Sequence, residues 1–168
     1  MRPRSPRGTL GRVAVERALA PNDEVRALVG ELDRELGAEY PPEQRHGLAL
    51  EAIFAPPVRF FLARLDGAAV GCGGVALFAD FAEVKRMYVR PVARGFGVAQ
   101  AVLARLERET SEAGLLLLRL ETGNRQVTAL RLYERAGFRP CPPFSHYARM
   151  SPDAIATSVF LEKRLQTG

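Results

Sequence analysis

Two glycines, Gly95 and Gly97, stand where the chain stops reading as strand and starts reading as helix, and they limit what it can fold into. Upstream lie three segments of strand character, over 58–65, 69–78 and 83–89. Asp66-Gly67 makes a hairpin turn between the first two. Downstream the apolar period changes, predicting a helix over 97–113, an apolar strand from Leu115 and a helix over 126–136. Glycine costs roughly 1 kcal/mol relative to alanine inside a helix. Two at a helix start therefore serve either a turn with a capping role or a backbone that must lie bare against something. A strand feeding a Gly-rich turn and then a helix leaves unpaired N–H groups at the positive end of the helix dipole. That geometry suits an anion such as phosphate, and Arg94 adds a fixed charge beside it. The pattern is not a dinucleotide fingerprint, because Gln100 replaces the third glycine, and no Gly-Lys-Ser/Thr follows to make a P-loop.

The remaining segments complete a mixed α+β order, roughly β-α-α-β-β-β-α-β-α-β-β. A first strand is predicted over 13–18. An amphipathic helix follows, capped by Asn22 or Asp23 and closed by Gly37, with Val25, Leu28, Val29, Leu32 and Leu36 on one face. A second, shorter helix is expected over 43–54, ended by Pro56 and Pro57, and a late strand over 158–163. Meandering strands followed by crossovers imply a sheet that is antiparallel first and carries one parallel pair later. With 168 residues the chain reads as one domain over 11–166, behind a disordered basic leader over 1–10.

The net charge of +5 rests on arginine, since Lys85 and Lys163 are the only lysines. It suits an anionic partner, yet the arginines are dispersed and no base-stacking surface is evident, which argues against nucleic acid. No apolar run is long enough for a membrane span, and the N-terminus lacks a signal peptide's apolar core, so a cytoplasmic location is expected. Cys72 and Cys141 lack metal spacing and read as free thiols, and His46 and His146 are too isolated to argue a metal site.

The stretch EVKRMYVRPVARGFGVAQAVLARLE resembles motif A of the GCN5-related N-acetyltransferases, the GNAT family, with Arg94-Gly95-Phe96-Gly97-Val98-Ala99 on its Arg/Gln-x-x-Gly-x-Gly/Ala signature. NRQVTALRLYERAGFRP resembles motif B, matching at Ala129, Leu132, Tyr133, Glu134 and Gly137-Phe138. The two blocks fall in the family's order, with a strand between them, and the resemblance spans about 12–165.

The resemblance implies a GNAT fold and an N-acetyltransferase that moves the acetyl group of acetyl-CoA directly to a primary amine in a ternary complex, without metal. Backbone groups of Met87, Tyr88 and Val89 would pair with the pantetheine arm. The amides of Arg94, Gly95, Phe96, Gly97, Val98 and Ala99 would hold the pyrophosphate. Ala129 and Gln126 would contact CoA, Gln126 standing where the family commonly has asparagine. Tyr133 would protonate the departing thiolate. Glu83, six residues before Val89, would act as general base, with Glu121 as its rival. Tyr40, Arg45 and His46 are candidate acceptor contacts, with His146, Tyr147 and Arg149 beyond them, and Arg45 or Arg149 could meet an acidic group. Homodimers are frequent among similar enzymes. A non-catalytic CoA-binding regulatory module on the same fold is the alternative.

Overall fold

A computed structural model describes residues 11–167 of the chain. The expected leader, 1–10, lies outside the described residues. The elements run β1 (Val13–Ala18), α1 (Asp23–Glu39), α2 (Leu50–Ile53), β2 (Val58–Leu65), β3 (Ala68–Leu77), β4 (Ala82–Val89), α3 (Val98–Glu112), β5 (Leu117–Gly123), α4 (Val127–Arg135), β6 (Arg139–Pro140) and β7 (Ser158–Arg164). They build one seven-stranded sheet in the order β1-β2-β3-β4-β5-β7-β6. Every neighbouring pair is antiparallel except β4–β5.

Helices cover both faces. Helix α1 buries Val25, Leu28, Val29 and Leu32 against Phe60, Leu62, Cys72 and Tyr88. On the other face α3 places Val98, Val102, Leu103 and Leu106 against Phe61, Val75, Val84 and Leu118, and α4 adds Tyr133. Burial of such side chains, worth about 1.5–3 kcal/mol each, holds the layers together. A smaller cluster of Phe81, Phe144, Tyr147 and Phe160 closes one end.

Three sequence expectations need correction. Helix α1 runs past Gly37 to Glu39. It stops at Tyr40 because Pro41 and Pro42 follow, and the residue before proline is pushed to extended backbone. The helix expected over 43–54 exists only as a 3-10 turn, Pro42–Gln44, and one α turn, Leu50–Ile53. Between them the chain is irregular, and a Cβ at Gly47 would collide with the Arg86 guanidinium. Tertiary contact overrides the helical pattern there. Strand β5 starts two residues later than expected, at Leu117, and extends to Gly123.

What positions the site is a parting of strands. β4 and β5 pair only at Ala82↔Leu118 and Glu83↔Arg119. Beyond that point β5 stays zipped to β7 along its whole length, and β4 to β3. A bulge at Arg86, whose φ is +57°, adds a residue to β4 opposite Gly73. Leu118, fully buried on one of the two paired rungs, holds the strands together at the apex. Leu118→Ala should cost about 2–5 kcal/mol of unfolding free energy, measured by urea titration. A loss well under 1 kcal/mol would show that the apex does not depend on this contact.

Candidate active site

The turn singled out in the sequence has the backbone of an anion cradle. Gly95 and Gly97 have φ of +88° and +79°, left-handed values that glycine adopts without strain, and Gly97 is the N-cap of α3. Among the described residues the N–H groups of Gly95 through Gln100 have no intramolecular acceptor, the first helical bond being Ala101 N to Gly97 O. The N–H of Arg94 is not among them, since it donates to Pro91 O at 3.2 Å. The Arg94 side chain is also tied back, through Nε to Val89 O and Nη2 to Glu35, each at 3.1 Å. So Arg94 anchors the turn, and the open amides begin one residue later than expected. The Val98 side chain is core, leaving only its backbone for a ligand, and Phe96 is exposed.

The cleft between the parted strands opens into a cavity with about 790 Å³ of empty space, part of it continuous with solvent. Of the expected residues, Glu83, Met87, Tyr133, Gln126, Ala129, Glu121, Tyr40, Arg45, His46 and Tyr147 all line it. His146 and Arg149 lie exposed outside it. The Tyr88 side chain packs on the α1 face, so only its backbone can serve the cleft.

The bulge sets which face of the sheet each β4 side chain takes. Ala82, Val84 and Met87 pack on the α3 side, whereas Glu83, Lys85 and Arg86 point toward α1 and Tyr147. Glu83 is 1% exposed. Its Oε2 accepts from the Tyr147 hydroxyl at 2.8 Å and pairs with Lys85 Nζ at 2.7 Å, and Lys85 in turn donates to Tyr147 Oη at 2.8 Å. Burial and the adjacent Glu83 charge hold the Tyr147 phenol well above its ordinary range, so it stays a donor. Glu83 Oε1 is buried without a partner. Arg86 reaches back to Asp33 on α1.

Across the cleft Tyr133 is 5% exposed and packs edge-on against Phe138. Its hydroxyl has no hydrogen-bond partner among the described residues, and burial raises its pKa, keeping the phenol protonated. Glu121, on β5, accepts from the Ser158 hydroxyl; burial pushes its carboxyl up, and Ser158, His46 and Lys85 only partly offset this. Tyr40 is a wall more than a ligand contact, because its hydroxyl accepts from Arg125 N at 2.8 Å and its ring crowds Gly123. His46 bonds Ala154 O through Nε2 at 2.7 Å and meets Tyr147 edge-on. Cys72 is fully buried, with its thiol pushed up to about 12 and its Sγ–H directed at Arg86 O, so it is no nucleophile.

The profile of the acetyltransferase (GNAT) domain matches residues 56–140. An IAA acetyltransferase of Azospirillum brasilense is 43% identical over 155 residues, covering 91% of this chain and 98% of its own length. The chain belongs to the GNAT acetyltransferases. Among solved structures, an acyl-CoA N-acyltransferase from Klebsiella pneumoniae is 33% identical with a TM-score of 0.71, covering 92% of this chain and 98% of that one. A GNAT acetyltransferase from Elizabethkingia anophelis, solved with acetyl-CoA bound, shares the fold at 17% identity and a TM-score of 0.63, covering 91% and 98%. The acetyltransferase uses acetyl-CoA as its acetyl donor, and the open amides at 95–100 and the strand edge of β4 beyond Glu83 fit that molecule. Among the described residues no cluster of His, Cys, Asp or Glu could hold a metal ion, and no helix is long and apolar enough to cross a membrane.

Lys85 and Arg86 were not singled out from sequence, although two adjacent cations two residues after Glu83, within a strand, are an unusual signature. The buried Glu121 supplies a measurable consequence. The unfolded carboxyl titrates near 4.5 and the folded one higher. Between those values the folded state holds a proton that the unfolded state has lost, so this stability is present below the unfolded pKa and lost as pH rises through the folded one. Glu121→Gln should therefore raise the urea midpoint over wild type near about pH 7.5, with the gain vanishing below about pH 4. An equal gain at both pH values would contradict the burial cost.

Proposed function

We propose that the enzyme acetylates a primary amine by direct transfer in a ternary complex, with Glu83 as general base and Tyr133 as general acid. One juxtaposition carries this assignment: a buried carboxylate oxygen and a protonated phenol, neither with a protein partner among the described residues, line one cavity where β4 and β5 separate. Acetyl-CoA supplies the thioester and a thiolate leaving group. The amides of residues 95 to 100 would hold its pyrophosphate, and the β4 edge at Met87–Val89 its pantetheine arm, with Gln126 and Ala129 alongside. Glu83 Oε1 takes the proton that the acceptor nitrogen loses as the N–C bond forms. The Tyr133 hydroxyl gives its proton to the sulfur as the C–S bond breaks. Lys85 and Tyr147 hold Glu83 Oε2 and so fix the direction in which Oε1 points.

Glu121 is a second candidate base, favoured by its raised proton affinity and its place on the opposite strand. The free thiols of Cys72 and Cys141 suit a reducing cytoplasm. Tyr133→Phe should lower kcat by about 10²- to 10⁴-fold while leaving acetyl-CoA affinity nearly intact, read by thiol release and by titration with acetyl-CoA. Glu83→Gln should do the same, and should flatten the acid limb of the pH–rate profile. If Tyr133→Phe turns over at the wild-type rate, the acid role is wrong. If Glu121→Gln removes the acid limb and Glu83→Gln does not, the base is Glu121.

A further inference from the structure

Among the described residues three buried side-chain polar atoms have no hydrogen-bond partner: Arg45 Nε, Arg86 Nε and Glu83 Oε1. All three residues line the one cavity described above. Buried polar groups are otherwise almost always paired, and an unpaired one is destabilising. All three belong to residues that line the same cavity, so a ligand seated there has unpaired groups beside it to complete. Their complement is an anion facing two guanidinium N–H groups and a proton donor facing a carboxylate oxygen.

The charges sort in the same way. Lys85 is neutralised by Glu83, and Arg86 by Asp33 on α1. Arg45 enters no ion pair and its side chain makes no hydrogen bond among the described residues, so it is the uncompensated cation of the cavity. Its guanidinium lies along the last turn of α1, where a Cβ on Gly37 would sit 3.3 Å from Nη1. The negative end of the helix dipole favours a cation there but leaves Nε without an acceptor. Leu32 and Leu36 add an apolar wall. A phosphate is the poorer match, because its second charge would sit among Glu83 and Glu121, whereas a carboxylate is a single charge and accepts a guanidinium edge.

Building on the reading that the enzyme acetylates a primary amine, we infer that the acceptor is a small amino acid or other amino-carboxylate. Its carboxylate pairs with Arg45, with Arg86 Nε as a second donor. Its neutral amino nitrogen lies at Glu83 Oε1, and its side chain rests on Leu32 and Leu36.

The test is thiol release from acetyl-CoA by the full-length protein, with free amino acids set against the carboxamides and methyl esters of the same amino acids. The free acids should be favoured by ~10- to 100-fold in kcat/KM, the value of a charge-assisted hydrogen bond. Arg45→Gln should raise KM for the acids by a similar factor and bring the acid-to-amide ratio toward one, and Arg45→Lys should keep part of the preference. Equal turnover of acids and amides by the wild type overturns the inference while leaving amine acetylation standing. The same holds if Arg45→Gln, with its unfolding midpoint and acetyl-CoA affinity retained, lowers both classes equally. No thiol release with any amine overturns the amine-transfer reading, and this inference with it. The wild-type comparison decides the matter even if the Arg45 variants fail to fold.

Discussion

Everything about the site depends on a parallel strand pair that lasts for two rungs. If β4 and β5 stayed zipped beyond Glu83 and Arg119, there would be no cleft between them. The separation is sustained from both sides: β7 holds β5 along its full length, and β3 holds β4 through the bulge at Arg86. Each strand thus satisfies its backbone on one edge, and β4 leaves the other exposed to an extended ligand. Open strand edges are usually a liability. Here the open edge lies inside a cleft that a thioester-bearing chain can line.

The bulge has a second effect on the electrostatics. Without the extra residue, Lys85 and Arg86 would alternate across the sheet, and one of the two charges would be driven into the apolar layer under α3. With it, both cations sit on the α1 side with Glu83, Tyr147 and Asp33 as partners. Burying a charge is tolerable only when it is paired and hydrogen-bonded, and this wall nearly meets that requirement. The three orphan atoms mark where it does not.

The fold was largely legible in the sequence because it is written in local signals. Strand alternation around Asp66-Gly67, the Asn22 cap and the Gly95/Gly97 seam each set backbone geometry within a few residues. The backbone of the Gly95/Gly97 turn was legible for the same reason, apart from Arg94, whose amide and guanidinium are spent on Pro91, Val89 and Glu35. The acceptor side was not. Segment 43–54 has helical spacing but lies where Arg86 needs room over Gly47, and nothing local in the chain announces a contact across 39 residues. Nor does local pattern reveal that Tyr147, in a late irregular segment, bonds the carboxylate of Glu83.

The cavity-lining segment 44–46 is held from outside the cavity. Gln44 donates to Asp153 O and accepts from the Thr157 hydroxyl, while His46 reaches Ala154 O. The surface turn at 153–157 is therefore a remote handle on Arg45. Drift in that turn would shift the segment that carries Arg45 and move its guanidinium within the cavity. If Arg45 pairs with the acceptor as inferred above, related enzymes could diverge in substrate through this turn alone.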